Sequence, residues 1–518
     1  MTSITVLPAS AAVTAALFAL LVIYRTCLSR ALRYPPGPRG KRLIGNVHDV
    51  PKEQRWRTYA EWKSLYGPII HLNFLGTHVV VLNDVKTVTD LLEKRANIYS
   101  DRPLTTMNSQ LVDRKRTPFF VPFADPRFST YRRILHDTLG PRPMRDIWPI
   151  QEQEVKAFLR NLLVDPEKVD AHIRSNAASV IMKVAYGYDI QPKHDPFVAA
   201  VEEAFINGYI ITTPGRWLVD SFPILRFVPE WFPGAEFQRK AKYYREQMRS
   251  AYKAPLDWVK SQMAAGVARA SFVSRQLSSQ EEEVKAADYE DIVLNAAGSM
   301  FVGAADTTVS AMVTFFYIMT SHPEVQRRAQ AEIDKAVGHD RLPSMEDRAS
   351  LPYVNCLLKE IFRWCPPGPL SLPHTVTRDD VYEGYDIPAG TVIQGNIWAL
   401  MHDETMYPDP FTFDPDRFST ADGRVPQEDP TRWVWGFGRR VCPGQHLADA
   451  MLYITIVSTL AAFHIGKAVD EHGRIIEPLL DFTTGTTSRV KPFKCRISPR
   501  PECEGLISQV AAEVEATS

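Results

Sequence analysis

The stretch Trp435-Gly436-Phe437-Gly438-Arg439-Arg440-Val441-Cys442-Pro443-Gly444 places one cysteine in a glycine-rich loop. An apolar run typical of a helix follows, from Gln445 to about Phe463. A thiolate at this position would lie near the N-terminus of that helix, where the macrodipole and free amide groups favour negative charge. Glycine lets the backbone pack closely against a flat partner because it carries no side chain. Arg440 offers a cation to an anionic group nearby.

The Cys442 sulfur could act as a nucleophile, a redox thiol or a metal ligand. No second cysteine lies within a few residues of it. A zinc site, an iron–sulfur cluster and a C-x-x-C redox pair are therefore all disfavoured. The remaining alternative is a small hydrophobic side chain without chemistry, which is the ordinary role of a lone cysteine. The surrounding residues argue against that alternative.

A longer pattern surrounds the cysteine. The stretch resembles the haem-binding loop of the cytochrome P450 family, F-x-x-G-x-R-x-C-x-G. The residues that match are Gly438, Arg440, Cys442 and Gly444, and Trp435 stands where the family usually has phenylalanine. The likeness is closest to fungal microsomal members of the O-methylsterigmatocystin oxidoreductase kind. It implies that the Cys442 thiolate binds the iron of haem b. The loop residues implied to hold the cofactor are Trp435, Gly436, Gly438, Arg440, Pro443 and Gly444.

Composition sets broad limits on the class of protein. The 60 basic and 60 acidic side chains balance, so no strong electrostatic attraction to nucleic acid is expected. The 6 cysteines are scattered without the spacing of a disulfide framework, which favours a reducing compartment. The length of 518 residues would suggest two or more domains. The resemblance instead implies one catalytic domain over residues 34–500, followed by a polar tail at 501–518.

A charge-free apolar segment runs from Ile4 to Tyr24. About 20 such residues suffice to cross a bilayer as a helix. Basic residues follow, beginning with Arg25, and they place the remaining chain in the cytosol. A cleaved signal peptide would need a basic segment before the apolar run and a small-residue cleavage site, and neither is present. The sequence predicts one N-terminal transmembrane helix within residues 1–33, and the resemblance implies the endoplasmic reticulum membrane.

The expected fold is mainly α-helical with small β-sheets, as the resemblance implies. Two β-rich stretches separated at Gly76 predict a hairpin over residues 69–82. The longest helical candidate covers residues 288–320 and is largely apolar. A carboxylate at mid-span is costly, so Asp306 argues against a second membrane span and favours a buried core helix. Residues 102–126 are predicted to form an access loop. The resemblance implies that residues 214–234 form a lid, and a core-packing loop is the alternative.

The segment Gly303-Ala304-Ala305-Asp306-Thr307-Thr308 lies in this long helix and resembles the oxygen-binding segment of the family, [AG]-G-x-[DE]-T-[TS]. The resemblance implies that Ala304 adjoins the haem and that Thr307 and Asp306 deliver protons to bound oxygen. The alternative is that these polar side chains only bond to the backbone of their own helix.

Two further groups of residues follow from the resemblance. Arg132 and His374 are implied to bind the haem propionates, although Phe128 replaces the tryptophan expected four residues before Arg132. Each could instead be an ordinary surface residue. Glu360 and Arg363 share a helix face. The resemblance implies that they form a buried structural triad with Arg417.

The implied activity is that of a haem-thiolate monooxygenase, which inserts one oxygen atom from O2 into a C–H bond. The substrate would be a hydrophobic small molecule, a secondary metabolite such as a terpenoid by analogy. Electrons would come from NADPH through NADPH–cytochrome P450 reductase, with cytochrome b5 as an additional candidate donor. The candidate contacts for such an acidic partner are Arg132, Arg133 and Arg439. Pocket walls are expected from Phe301, Leu370 and Phe482.

Two other functions stay open at this stage. A haem-thiolate isomerase or dehydratase would need no reductase, but such enzymes tend to lose the Asp–Thr segment that this chain keeps. A non-catalytic membrane haem-binding protein would not need both the Glu360–Arg363 pair and the Asp306–Thr307 pair.

Overall fold

The computed structural model describes residues 32–42, 44–191, 194–213, 215–279, 286–503 and 505. The predicted membrane anchor at residues 1–33 lies outside this part of the chain, except for Leu32 and Arg33. Most of the polar tail predicted at residues 501–518 also lies outside it.

Helices make up most of the described chain. The α-helices are α1 (Arg55–Tyr66), α2 (Val85–Val88), α3 (Ala96–Tyr99), α4 (Pro126–Leu139), α5 (Met144–Val164), α6 (Val169–Tyr186), α7 (Pro196–Thr212), α8 (Leu218–Ser221), α9 (Glu236–Ala264), α10 (Phe272–Ser278), α11 (Ala286–Ser321), α12 (Pro323–Ala336), α13 (Pro352–Trp364), α14 (Ile397–Met401), α15 (Thr431–Val434) and α16 (Gln445–Ala462). Two π-helical turns lie at Thr89–Lys94 and Thr106–Leu111, and short 3-10 turns lie at Arg114–Arg116, Pro223–Phe227, Met345–Ser350, Pro415–Phe418, Ala421–Gly423, Gly438–Arg440 and Pro501–Cys503.

The strands form three small sheets. They are β1 (Ile69–Phe74), β2 (Thr77–Leu82), β3 (His374–Thr375), β4 (Asp380–Tyr382), β5 (Tyr385–Ile387), β6 (Val392–Gly395), β7 (Phe463–Lys467) and β8 (Cys495–Pro499). The largest sheet has the order β1-β2-β6-β3, with β2 and β6 parallel and the other pairs antiparallel. Strands β4 and β5 pair with each other, as do β7 and β8. The hairpin predicted over residues 69–82 is therefore confirmed.

Helix α11 is the centre of the helical part. It packs against α4, α6, α7, α9, α10, α12, α13 and α16. Among the described residues, Asp288–Ser321 is the one segment long and apolar enough to cross a bilayer, yet 72% of its most apolar window is buried inside the protein. A helix that is apolar on all sides belongs in such a core. This outcome agrees with the prediction that α11 is not a membrane span.

Capping residues fix where several helices begin. The Asp125 carboxylate accepts a hydrogen bond from the Arg127 amide, and Pro126 occupies the first turn of α4. Asp195 caps α7 in the same way ahead of Pro196. Proline suits the first turn because its missing N–H would have no partner there. These Asp-Pro pairs set the start of two helices by local chemistry alone.

The predicted access loop is more ordered than expected. Residues 106–111 form a π-helical turn whose N-terminus is held by two side chains. The Thr105 hydroxyl accepts a hydrogen bond from the Asn108 amide, and the Asp220 carboxylate accepts one from the Met107 amide at 2.7 Å. Asp220 lies in α8, within the predicted lid. The lid and the access loop are thus joined by a carboxylate that caps a helical turn.

Glu360 and Arg363 are both fully buried on α13. The Arg363 guanidinium donates to both oxygens of Glu360, at 2.6 and 2.7 Å, and to the carbonyl of Met401 at 2.9 Å. Arg417 lies 3.5 Å from Glu360 and donates to the carbonyl oxygens of Asp409 and Thr412. The structure therefore brings the three residues together, and each charge faces several partners, as a buried ion cluster requires.

We expect Glu360→Ala to lower the free energy of unfolding by about 3 to 5 kcal/mol, because it leaves the Arg363 charge buried without a carboxylate. The measurement is urea unfolding of the full chain followed by circular dichroism. Lys359→Ala is the matched control, since Lys359 is the adjacent residue but pairs with Asp429 near the surface. The control should change stability by less than about 1 kcal/mol. Equal losses in both variants would contradict the assignment.

Candidate functional site

A hydrogen bond between two of its own backbone groups closes the cysteine loop. The Cys442 amide donates to the Trp435 carbonyl at 2.8 Å, and helix α16 begins three residues later at Gln445. The Trp435 ring packs edge-on against Phe362, with ring centroids 5.1 Å apart. This arrangement places the sulfur beside the N-terminus of a long buried helix, as the sequence predicted.

Gly438 shows why this loop needs glycine. Its φ is +54°, a left-handed conformation that side chains disfavour. A Cβ atom there would collide with the Leu92 carbonyl of the π-helical turn at Thr89–Lys94. The cysteine loop and this turn can meet only because position 438 carries no side chain.

The surroundings of Cys442 shift the pKa of its thiol in two opposite directions. Burial raises the pKa of Cys442, while the Gly444 amide and the Arg132 guanidinium lower it. The amide and the guanidinium therefore favour a thiolate against the cost of burial. A metal cation bound to the sulfur would add to their effect, because a coordinating thiol is deprotonated.

The middle of α11 borders an opening in the core. Residues 302–307 are partly exposed, whereas the helix on both sides of them is buried. Gly303 and Ala304 belong to this stretch, and a Cβ atom at Gly303 would lie 3.5 Å from the Phe119 ring of the access loop. Helix α11 also packs against α16, the helix that follows the cysteine loop. A cavity thus lies along the segment that resembles an oxygen-binding site.

Thr307 and Asp306 have different partners. The Thr307 hydroxyl donates to the Gly303 carbonyl at 2.8 Å, one turn earlier in the helix. The Asp306 carboxylate accepts a hydrogen bond from the Thr487 hydroxyl. Its other oxygen lies 4.0 Å from Arg174 and 3.8 Å from Arg489. The two side chains therefore connect the cavity-lining face of α11 to a charged cluster on its flank.

A group of cationic side chains surrounds the space between the cysteine loop and the access loop. Arg440 donates to the carbonyls of Ser100 and Val121, at 2.8 and 2.7 Å. Arg102 donates to those of Leu372 and Pro373, at 2.7 and 2.8 Å. Arg132 donates to the Val441 carbonyl at 2.7 Å. Each arginine is thus oriented by neutral oxygens.

These cations repel one another. Burial and the nearby charge of Arg440 lower the pKa of Arg102 to about 9. Burial lowers the pKa of Arg440 to about 10, where Arg132 acts in the same direction and Asp101 against it. The Nε atom of Arg102 is buried without a hydrogen-bond partner. Such a set of buried, mutually repelling donors fits a ligand with two carboxylates, which is what haem carries in its propionates.

His374 belongs to the same group and is 2% exposed, so it is not a surface histidine. Its Nδ1 atom donates to the Tyr99 carbonyl at 2.6 Å. Burial, with the charges of Arg102 and Arg440, lowers the pKa of His374 well below its usual value. A neutral ring in this tautomer presents Nε2 as an acceptor. Binding a propionate would therefore require protonation, which the carboxylate itself would favour.

Sequence reasoning missed Arg102, which it placed only at the start of the access loop. No motif in the sequence marks this residue. Its role follows from contacts with residues 372 and 373, which lie far along the chain. Phe128, in place of the expected tryptophan, packs under the Arg440 guanidinium at 4.4 Å from the ring centroid. The aromatic ring keeps a cation–π contact where an indole would add a donor.

The structure bears on two sets of sequence predictions, the basic partner contacts and the pocket walls. Arg132 is half-buried and donates to the Val441 carbonyl, whereas Arg133 and Arg439 are exposed. Phe482 is not a free pocket wall. It is 3% exposed and packs with Trp364 and Trp398 in the core. Phe301 is also buried in the core, and Leu370 is half-buried.

A half-buried thiol at a helix N-terminus, in a loop bordered by cations that suit two carboxylates, is the arrangement expected of a haem-thiolate protein. The cytochrome P450 family model matches residues 35–487. Cytochrome P450 monooxygenase 208 of Postia placenta is 43% identical over 93% of this chain and 93% of its own length. Cytochrome P450 monooxygenase claR of Ampulloclitocybe clavipes is 42% identical, over 90% and 86% respectively. Cytochrome P450 monooxygenase COX2 of Coprinopsis cinerea is 39% identical, over 94% and 93%.

The chain belongs to the cytochrome P450 family. Its fold is the P450 fold, and its relatives support a haem-thiolate monooxygenase of fungal type.

Proposed function

We propose that this monooxygenase inserts one oxygen atom from O2 into a C–H bond of a hydrophobic small molecule, with electrons supplied by NADPH through cytochrome P450 reductase. The observation that carries the proposal is the partly exposed face of α11, where Thr307 and Asp306 adjoin the cavity. A protein that only carried haem would not need this pair. Secondary metabolites, terpenoids among them, are the candidate substrates by analogy with the fungal family.

The residues that would hold haem are those of the cysteine loop and the cationic group. Cys442 would bind the iron, and Arg102, Arg132, His374 and Arg440 would bind the propionates. When bound, haem supplies the activation of O2, and the protein supplies position and electrostatics. Gly444, where a Cβ atom would lie 3.9 Å from the Cys442 sulfur, would allow the loop backbone to approach a flat ligand.

Thr307 and Asp306 would manage protons at the cavity. The Thr307 hydroxyl already uses its proton in the bond to Gly303, so its lone pairs face outward as acceptors. Rotation of this hydroxyl would present its proton to a ligand in the cavity. Asp306, bonded by Thr487 and flanked by two arginines, would return a proton to Thr307 from the surface side.

The partner surface would be the exposed basic side of the cysteine loop. Arg439 and Arg133 are exposed there, and both carry charges suited to an acidic reductase. NADPH–cytochrome P450 reductase is the proposed donor, with cytochrome b5 as a second candidate.

Cys442→Ala should abolish the red-shifted CO complex of the reduced protein, because the iron would lose its thiolate ligand. The measurement is the CO difference spectrum of the full chain. Cys495→Ala is the control, since Cys495 is partly buried on β8 and far along the chain from the loop. A normal spectrum from Cys442→Ala would refute the ligand assignment.

Thr307→Ala should divert oxygen to hydrogen peroxide and reduce product formed per NADPH by about tenfold or more, because a positioned proton donor is lost. Peroxide, NADPH and product are measured together with reductase present. Thr320→Ala is the matched control, since Thr320 makes the same bond to a carbonyl one turn earlier, at 2.7 Å from Phe316 O, on the same helix. Unchanged coupling in Thr307→Ala would contradict the proton role. Turnover without NADPH would favour an isomerase or dehydratase.

We further propose that residues 1–33 anchor the protein in the endoplasmic reticulum membrane. The lid offers a second apolar contact, since Ile224, Phe227 and Trp231 are 72%, 67% and 79% exposed. Both features would hold the pocket entrance near dissolved apolar substrates.

Deletion of residues 1–33 should move most of the protein from the membrane pellet to the soluble fraction after high-salt washing. The reason is the loss of an apolar segment long enough to span the bilayer. Immunoblots of fractionated cells measure the distribution, and the CO spectrum confirms that the shortened chain still folds. A shortened chain that stays wholly in the pellet would show that the lid or another surface is the main anchor.

A further inference from the structure

Arg114 is a buried cation at the top of the access loop. It is 8% exposed and lies in the 3-10 turn Arg114–Arg116. Its Nη1 atom donates to the Asn108 side chain at 3.1 Å and to the Gly208 carbonyl of α7 at 3.3 Å. Its guanidinium also lies over the Phe120 ring, 4.7 Å from the centroid. Arg114 therefore sits between the access loop and α7, the helix that precedes the lid.

The charge of Arg114 is not matched by an acid. Among the described residues, no carboxylate pairs with it, and its Nε atom is buried without a hydrogen-bond partner. Burial lowers the pKa of Arg114, and only the Tyr252 hydroxyl acts against this effect. Arg116, two residues later, has the opposite environment, because it is half-exposed and pairs with Asp113 at 2.9 Å. A buried guanidinium without an anion is costly unless a ligand completes the site.

The surroundings of Arg114 connect it to helix α11. Tyr252 interacts with Arg114, and the Tyr252 ring packs on α11 at Gly298, where a side chain would collide with it. The next residue, Ser299, is 5% exposed, and its hydroxyl has no hydrogen-bond partner. Ser299 lies one helical turn before Gly303 and so shares its face.

The same access loop reaches the oxygen-binding segment. Phe119, one residue before the ring that lies under Arg114, is the side chain nearest to Gly303. Gly298 and Thr307 are nine positions apart in the sequence, which corresponds to about 13 Å along a helix at 1.5 Å per residue. The access loop thus extends from the cationic Arg114 to the oxygen-binding segment, and the position where Tyr252 packs on α11 lies roughly that far from Thr307.

We propose that Arg114 recognises a carboxylate on the substrate, so that the enzyme takes amphipathic carboxylic acids and oxidises a carbon remote from the acid group. This inference rests on the proposed monooxygenase function and adds the substrate class. One guanidinium with the Asn108 amide beside it suits a single negative charge. A phosphate dianion would need more donors than these residues supply.

A purely structural role for Arg114 is the competing explanation. Its bonds to Asn108 and Gly208 do join the access loop to α7. They occupy only one nitrogen, however, and a neutral side chain could make similar bonds without the cost of a buried charge. A bound polar group explains the unpartnered Nε atom of Arg114 and the unpartnered Ser299 hydroxyl better than a purely structural role does.

The test is a spectral titration of the haem-loaded full chain with dodecanoic acid and with dodecan-1-ol, which differ only in the charged end. Displacement of water from the haem by either probe shifts the absorption of the ferric protein. The acid should bind more tightly than the alcohol by about tenfold or more, as a charge-assisted hydrogen bond provides. Arg114→Met should remove this preference by weakening acid binding alone.

Two further variants keep the test decisive. Arg116→Met is the matched control and should leave both affinities unchanged. Arg114→Gln preserves hydrogen bonding without charge and replaces Arg114→Met if the latter fails to retain haem. No shift with the acid, equal wild-type affinities for the two probes, or equal weakening of both by the Arg114 variants would overturn the proposal. The titration reads binding and not turnover, so absence of oxygenated product would refute the proposed function without affecting this result.

Discussion

The need to balance buried guanidinium charge governs this structure. Arginine stays charged in almost any environment, so each buried one requires an anion or several oriented oxygens. Arg363 is neutralised within the protein by Glu360, and the pair lies wholly inside the core. Arg102 and Arg440 are bonded to carbonyl oxygens and repel each other, with the nearby Asp101 acting against that repulsion. The Glu360–Arg363 pair is thus complete within the protein, whereas the site around Arg102 and Arg440 is one that a ligand completes.

This difference separates folding from function within one molecule. The Glu360 pair connects α13 with the segment around residues 401–417, and it is complete without any ligand. The cations around the cysteine loop join segments from residues 99–121, 372–374 and 440. Their repulsion is relieved only when an anionic group enters. Haem would therefore contribute to the stability of this part of the protein as well as to its chemistry, since a ligand of the folded state stabilises it.

The sequence predicted those features that depend on local chemistry. The cysteine loop, the long apolar helix and the first hairpin are each encoded in fewer than 40 consecutive residues, and the structure contains all three. Arg102, Arg114 and Thr487 were missed because their significance comes from contacts across 90 residues or more, with partners such as Gly208 and Asp306. The role of Arg132 stayed open between propionate binding and a partner contact, because sequence cannot show which way a helical arginine points. Phe482 was misplaced for the same reason, since its aromatic neighbours come from other segments.

The carboxylate of Asp220 has a consequence for how ligands reach the cavity. It caps the helical turn of the access loop from within the lid, and Arg245 of α9 holds the far end of that turn through the Leu111 carbonyl at 2.8 Å. The lid therefore holds one end of this turn of the access loop, and α9 holds the other end. The access loop cannot move away from the lid or from α9 without breaking the hydrogen bond to the Asp220 carboxylate or the one to the Leu111 carbonyl. Entry of a substrate and release of a product should therefore need the same cooperative rearrangement of the lid and the access loop, so both should occur with one gating rate.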